Sequence, residues 1–183
     1  MTPTKHSSFI IHRSLFLFAA ALVLGTLNCA YYNTFYNAKM NYNDGVKLLA
    51  GKTPNQAKDK FDKAIQKSAA EITNYPKSRW VDEAVYLIGM SYYWENDYLR
   101  AIDKFDNLRA VFPHSKFLDQ ARFYGALSLV DEGQYVKGIE ALKDLGAASA
   151  SYREDADFQL GMTDFKREDY ETAITDFQDF SRK

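Results

Sequence analysis

The chain has 183 residues with a formal net charge of −1, and its 46% hydrophobic and 26% charged residues are ordinary proportions for a globular protein. The near-neutral charge argues against a nucleic-acid-binding protein, and the single cysteine excludes an intrachain disulfide. Aromatic residues make up 15%, with only 9 Gly and 4 Pro, and this balance favours packed helices over many tight turns.

Residues 1–28 are typical of a signal peptide. Lys5 and Arg13 form a positive head without any acid, and the apolar run 15–27 has the length of a signal-peptide core. That run is too short to span a bilayer comfortably, since a spanning helix needs about 20 residues. The alternative is an uncleaved anchor that reaches back to Phe9, but it would bury several polar residues in lipid.

Cys29 follows this segment directly. With Leu27 or Leu24 as the apolar position, the stretch resembles the lipobox of bacterial lipoproteins, although Thr26 and Asn28 depart from its usual pattern. The resemblance implies that Cys29 is thioether-linked to diacylglycerol and becomes the mature N-terminus, so that acyl chains hold the protein on a membrane. The alternative is an ordinary signal peptide with an incidental cysteine.

Residues 29–36 would then form a short lipid-anchored leader rich in aromatic side chains. Tyrosine suits the lipid headgroup region, so we expect Tyr31 and Tyr32 to lie at the membrane interface. Phe35 and Tyr36 are expected to belong to the first helix and to pack.

Three later segments repeat one pattern. They begin at Tyr98, Tyr135 and Tyr170, which are 37 and then 35 residues apart. Each unit predicts a helix A, a short polar turn and a helix B, with small residues where the two helices cross and a large one filling the gap. The small residues are Gly89, Ala126 and Gly161 in helix A and Ala101, Gly138 and Ala173 in helix B, and the large ones are Phe105, Leu142 and Phe177.

An earlier unit is degenerate. The segment 57–65 repeats the helix-B spacing, and Thr53 and Pro54 are suited to the N-cap and first position of that helix. This helix B should run about two turns longer than the next one, after a helix A at roughly 37–50. The repeat domain therefore covers 37–183, in units at about 37–76, 77–115, 116–149 and 150–183.

The unit beginning near Asp82 resembles the tetratricopeptide repeat. Its matching residues are Gly89, Tyr92, Ala101, Phe105, Leu108 and Pro113. Pro76 and Pro113 should stop the preceding helices, and Ser78 and Ser115 are expected to cap the helices that follow. The predicted fold class is all-α, a tetratricopeptide-repeat-like α-solenoid of antiparallel helix pairs.

No pattern of catalytic, cofactor-binding or metal-ligating residues is present. His114 is the one histidine beyond the signal segment, and its Pro-His-Ser turn favours a solvated loop residue. Phosphate-binding glycine loops and metal-binding motifs are missing from the sequence. We therefore predict that the protein is not an enzyme and uses no cofactor and no metal.

A recurring set of apolar side chains in the A helices is the candidate partner-binding groove. Tetratricopeptide arrays line their concave face with A helices and bind extended or helical peptides there. The alternative is that much of this set is core, packed between neighbouring A helices. The candidates are Tyr86, Met90, Tyr93, Trp94, Phe123, Leu127, Phe158, Met162 and Phe165, with Val130 at the position of Tyr93 and Phe165.

The junctions "YPKSRWVDEA" and "FPHSKFLDQA", together with the signal and the cysteine, resemble the BamD-like outer-membrane assembly lipoproteins. The resemblance covers about Tyr36 to Lys183. It implies a lipoprotein on the periplasmic face of the outer membrane that helps to insert β-barrel proteins, with the barrel insertase or barrel precursors as partners. Ala30, which is not the inner-membrane retention signal Asp, agrees with this location.

The alternative function is a tetratricopeptide adaptor lipoprotein in cell-envelope or peptidoglycan synthesis. The BamD-like family typically has five repeats, so the sequence predicts either a short array or a fragment of a longer one.

Overall fold

The computed structural model describes residues 33–182, and within them the chain forms eight helices and no strand. The signal segment, Cys29, Tyr31 and Tyr32 lie outside the described residues, so signal cleavage, acylation and the membrane-interface position of the two tyrosines stay predictions. No helix in the described part combines the length and the apolar character needed to cross a membrane. The helices are α1 (33–50), α2 (Pro54–Asn74), α3 (Val81–Trp94), α4 (Tyr98–Val111), α5 (Leu118–Asp131), α6 (Tyr135–Ala148), α7 (Arg153–Lys166) and α8 (Tyr170–Ser181).

Each helix from α2 onward packs on the next one along the chain, and α3 also contacts α5 directly. This arrangement is an array of helix hairpins, as the repeat pattern predicts. The expected length difference is confirmed, because α2 has 21 residues and α4 has 14.

The two helices of a unit cross at the small residue of helix A. A Cβ atom added to Gly89 would lie 2.7 Å from Cε1 of Phe105, and one added to Gly161 would lie 2.8 Å from Cε1 of Phe177. The same contact occurs in the first unit, between Gly45 and Phe61, at 2.6 Å. Each pair is separated by 16 residues, which is also the separation of Ala126 and Leu142 in the third unit. A smaller side chain on helix B therefore accompanies a larger one on helix A.

The turn inside each unit places one residue in the left-handed region of backbone conformation. These residues are Lys52, Asn96, Gly133 and Glu168, with φ values of 60°, 60°, 80° and 64°. Each lies seven residues after the small residue of helix A, so the turn is the same in all four units. Only glycine adopts this conformation without a steric cost.

A hydroxyl–carboxylate hydrogen bond joins the second unit to the third and the third unit to the fourth. Ser115 Oγ donates to Asp82 Oδ2 and Ser149 Oγ donates to Asp119 Oδ2, both at 2.7 Å. The expectation that Ser115 caps the next helix is wrong in detail. Its hydroxyl accepts from the N–H of Phe117 at 3.2 Å, and α5 begins only at Leu118 without a side-chain cap.

Ser78 behaves in the same way at the preceding junction. Its hydroxyl accepts from the N–H of Trp80 at 3.1 Å, and α3 begins at Val81 without a side-chain cap. Both serines therefore stabilise the turn before the helix and leave the first turn of the helix itself uncapped.

Aromatic rings join the units at the same junctions. The residue before each of α3, α5 and α7 packs on an aromatic side chain of the preceding A helix. The pairs are Trp80 with Phe35 at 5.3 Å, Phe117 with Tyr86 at 4.8 Å and Tyr152 with Phe123 at 5.5 Å between ring centroids. Phe35 thus packs as the sequence predicts, whereas its neighbour Tyr36 is 48% exposed.

The core is centred on α3, which has neighbours on several sides because it lies inside the array. Met90 and Phe105 are buried there with Leu108 of α4 and Ala121 of α5. One carboxylate on α2 is also buried. Glu71 has no exposed surface, and neither of its carboxylate oxygens has a hydrogen-bond partner.

Candidate functional site

The nine groove candidates differ in exposure along the array. Tyr86 and Met90 are buried, 6% and 2% exposed, and lie in the core cluster of α3. Four others are half-buried, and the last three are exposed. The half-buried set is Tyr93, Trp94, Phe123 and Leu127, and the exposed set is Phe158, Met162 and Phe165 at 41%, 42% and 56%.

The difference in exposure depends on whether an aromatic ring of the next unit covers the side chain. Phe117 covers Tyr86 and Tyr152 partly covers Phe123, whereas the rings against Phe158 come from its own unit. They are Phe177 and Phe180 of α8, at 5.8 and 5.7 Å between centroids. The accessible part of the predicted groove therefore lies toward α5 and α7.

A pocket of about 440 Å³ opens between α3, α5 and α7. Its apolar lining comes from the positions one and four residues after the small residue of helix A, so side chains 72 residues apart in sequence face one space. These lining residues are Tyr93, Leu127, Val130, Met162 and Phe165. The structure brings together Tyr93, Leu127, Met162 and Phe165 of the nine candidates, and it leaves Tyr86 and Met90 in the core.

The pocket also has one charged pair on its rim. Lys166 Nζ of α7 donates to Asp131 Oδ1 of α5, and this hydrogen bond raises the pKa of Lys166 above its usual value. The pair spans the two A helices and neutralises both charges. What remains for a ligand is mainly apolar and aromatic surface.

Aromatic side chains continue from this pocket toward α1. The ring of Tyr93 lies 5.2 Å from Trp94 and 5.0 Å from Tyr124 between centroids, in edge-to-face arrangements. Trp94 Nε1 donates to the hydroxyl of Tyr42 at 3.1 Å, which links α3 to α1. Burial raises the pKa of Tyr93 and of Tyr124 above the ordinary value of tyrosine, at which a phenol is already protonated at neutral pH.

Tyr42 and Tyr124 are the members of this surface that sequence reasoning missed. Tyr42 lies three residues before Gly45, as Tyr86 lies before Gly89, so recognising Gly45 as the small residue of the first unit would have found it. Tyr124 has no such signal, because the matching positions hold Leu87 and Gln159.

The surface is mainly apolar and aromatic. Between residues 33 and 182 no group of three or more His, Cys, Asp or Glu side chains is arranged to hold a metal ion. His114 is exposed in the turn between α4 and α5. A lining of tyrosine, methionine and phenylalanine suits apolar side chains of a partner, since such residues adapt to varied shapes and bury large areas.

The sequence model of the family YfiO, described as an outer membrane lipoprotein, matches residues 36–159. No curated protein sequence matches the chain.

Solved structures with the same architecture include MamA from Desulfovibrio magneticus RS-1, with a TM-score of 0.54 at 18% identity over 80% of this chain and 94% of that one. The TPR-like repeats of a kinesin light chain from Podosopora anserina give a TM-score of 0.59 at 11% identity, over 79% of this chain and 73% of that one. MamA from AMB-1 gives 0.52 at 11% identity, over 79% and 90%. These likenesses concern the fold alone, and they confirm the predicted tetratricopeptide-like array.

Proposed function

Since the chain belongs to the YfiO family of outer membrane lipoproteins, we propose that it is a lipid-anchored periplasmic scaffold that binds protein partners during assembly of β-barrel proteins into the outer membrane. The acyl chains on Cys29 hold it on the periplasmic face, and the helical array presents the partner-binding surface. Its partners are barrel precursors or the protein that inserts them. The scaffold itself carries out no reaction.

The pocket between α3, α5 and α7 is the observation that supports a binding role most directly. Met162 and Phe165 stay about half exposed although both are large and apolar. Such side chains grouped on a folded protein mark interaction sites more often than single scattered ones do. They also lie beside Tyr93 of another unit, so a bound segment would contact three units at once.

Anchoring at Cys29 is tested by labelling cells with radioactive palmitate. The proposal expects label in the wild-type protein and none in Cys29→Ala. Globomycin, which blocks lipoprotein signal peptidase, should make the wild-type precursor accumulate. An unlabelled wild-type protein would contradict the anchor while leaving the binding surface open to its own test.

The partner is tested by photocrosslinking from the pocket. A photoreactive phenylalanine analogue at Phe165 should capture outer-membrane barrel proteins or their insertase in intact cells. The matched control carries the same analogue at Val136, which is 77% exposed on α6 and outside the pocket. The proposal fails if barrel proteins are no more abundant among the Phe165 products than among the Val136 products.

The same experiment separates the alternative function. Capture of peptidoglycan-synthesis proteins from Phe165, together with unchanged levels of barrel proteins after depletion, would assign the scaffold to cell-envelope synthesis.

A further inference from the structure

One face of α1 carries a stripe of exposed side chains. The stripe has a spacing of three and four residues in alternation, so its members lie one above another along the helix. Tyr36 and Met40 in it are 48% and 42% exposed. We call this the α1 stripe, and its members are Asn33, Tyr36, Met40, Asn43, Lys47 and Ala50.

The opposite face of α1 makes the contacts with the rest of the array. Phe35 and Ala38 are buried against α3, and Tyr42 accepts a hydrogen bond from Trp94. Gly45 lies against the ring of Phe61 in α2. Since these residues hold α1 in place, the α1 stripe points away from the array.

The composition of the stripe suits a lipid headgroup layer. Tyr36 brings a ring that is apolar and a hydroxyl that is polar, the combination enriched where a membrane meets water, and Met40 adds apolar surface one turn further on. The amide of Asn43 is polar without charge, and Lys47 has a long stem that can keep its ammonium at the phosphates. The stripe contains no acidic residue, so none of its members repels an anionic lipid surface.

The order of residues along the stripe matches the headgroup layer, which becomes less polar with depth toward the acyl chains. Its large apolar and aromatic side chains, Tyr36 and Met40, lie in the half that follows Cys29. Asn43 and Lys47, the one cation of the stripe, lie in the half that leads to the first turn of the array, and Asn33 is the one polar member before Tyr36. A helix that descends toward its N-terminal end would therefore place apolar surface deeper and polar surface shallower.

The position of the stripe in the chain points to the same surface. Cys29 precedes Asn33 by four residues, and four extended residues reach at most about 14 Å. From Tyr36 to Lys47 the helix advances about 16 Å. A lipid attached at Cys29 would therefore keep the beginning of the stripe beside the bilayer.

We propose that the α1 stripe lies on the phospholipid headgroups of the membrane that holds the protein, so that α1 and the acyl chains form one attachment. This proposal rests on the proposed acylation of Cys29. The stripe and the pocket between α3, α5 and α7 share no residue.

The test uses the full-length lipidated protein in vesicles of phosphatidylethanolamine and phosphatidylglycerol. A Met40→Cys variant is labelled with an environment-sensitive NBD dye, and acylated Cys29 has no thiol left to react. The control is Leu99→Cys, because Leu99 is 60% exposed on α4, away from α1. The dye at residue 40 should brighten at least about twofold relative to detergent and resist iodide quenching, as expected for a group at the headgroup layer.

Several results would overturn the proposal. A dye at residue 40 that iodide quenches as freely as the one at residue 99 would show that the stripe faces water. Protection in isolated cell envelopes but not in lipid vesicles would assign the stripe to a protein partner. Protection that persists in detergent, or that falls as protein is diluted among vesicles, would assign it to the protein's own leader or to a second copy.

Palmitate labelling of Met40→Cys separates this proposal from the proposed function. A labelled protein with a quenchable dye would disprove only the lipid contact of the stripe. An unlabelled protein would disprove the anchor and the stripe contact together.

Discussion

Gly89 of α3 and Phe105 of α4 are so close that a Cβ atom on the glycine would lie 2.7 Å from Cε1 of the ring. Real side chains do not approach this closely, so the crossing of the two helices depends on the missing side chain. The same relationship recurs in the first and fourth units, so three of the four units share this crossing.

We predict that Gly89→Ala lowers the free energy of unfolding by about 1–3 kcal/mol, because the added methyl group displaces the ring of Phe105. This is the net loss: the steric cost outweighs the gain of about 1 kcal/mol from the better helix propensity of alanine. Chemical denaturation followed by circular dichroism measures the change.

Two further variants test the cause of that loss. Gly125→Ala is the control, since its nearest neighbour would be Phe105 Cβ at an ordinary 3.6 Å, and it should be neutral or slightly stabilising. The double variant Gly89→Ala/Phe105→Leu copies the pairing of Ala126 with Leu142. Its loss in free energy of unfolding should be smaller than the sum of the losses of the two single variants. Strict additivity would contradict the steric explanation.

Met90 and Met162 occupy the same position in two units but differ in exposure, at 2% and 42%. Met90→Ala should lose about 2–5 kcal/mol of stability, as buried large-to-small changes do. Met162→Ala should lose less than about 1 kcal/mol but weaken the crosslinking from Phe165. A stable Met90→Ala protein with impaired partner capture would mean that Met90 belongs to the functional surface.

Glu71 should make stability depend on pH. Burial raises the pKa of this carboxyl, and the Ser78 hydroxyl, which lies near it without forming a hydrogen bond to it, lowers the pKa by a smaller amount. The stability linked to its protonated form is complete below the ordinary pKa of glutamate and is lost as pH rises through the raised value.

Glu71→Gln should therefore raise the free energy of unfolding at about pH 8 by roughly 1–3 kcal/mol, because it removes a buried charge without changing the size of the side chain. The gain should shrink toward about pH 4, as wild-type Glu71 becomes protonated. Glu140→Gln, at an exposed position on α6, should change little at either pH. An equal effect of Glu71→Gln at both pH values would contradict the role of ionisation.

Ser115→Ala should destabilise the junction between the second and third units by about 1 kcal/mol, because Asp82 loses the hydroxyl that donates to Oδ2. Ser181→Ala, whose hydroxyl bonds only within the exposed end of α8, is the control and should be neutral. A double-mutant cycle with Asp82→Ala measures the coupling, and a coupling of zero would show that the hydrogen bond contributes nothing.

The repeat pattern was predictable because it depends on distances within one unit. Tyr98, Tyr135 and Tyr170 fix the period, and the small and large residues around them fix the crossing. The first unit was harder, since it has Pro54 where the others have that tyrosine. Its crossing residue, Gly45, was therefore not identified.

Contacts between units could not be predicted in the same way. The stacking of Phe117 on Tyr86 depends on how far one unit turns relative to the next, and no spacing in the sequence reports that angle. For this reason the sequence left open whether Tyr86 and Phe158 are core or surface. Both lie three residues before the small residue of helix A, yet their exposures are 6% and 41%.

The turns within the units have a consequence for engineering the protein. Lys52 and Glu168 adopt positive φ values where Gly133 shows that glycine fits, and a side chain in that conformation costs about 1–2 kcal/mol. Lys52→Gly and Glu168→Gly should each raise the melting temperature. The flexibility that glycine adds to the unfolded chain offsets part of this stabilisation. Neither residue belongs to the pocket or to the α1 stripe. A variant with both substitutions should therefore be more stable and still keep the proposed partner-binding and lipid-binding surfaces.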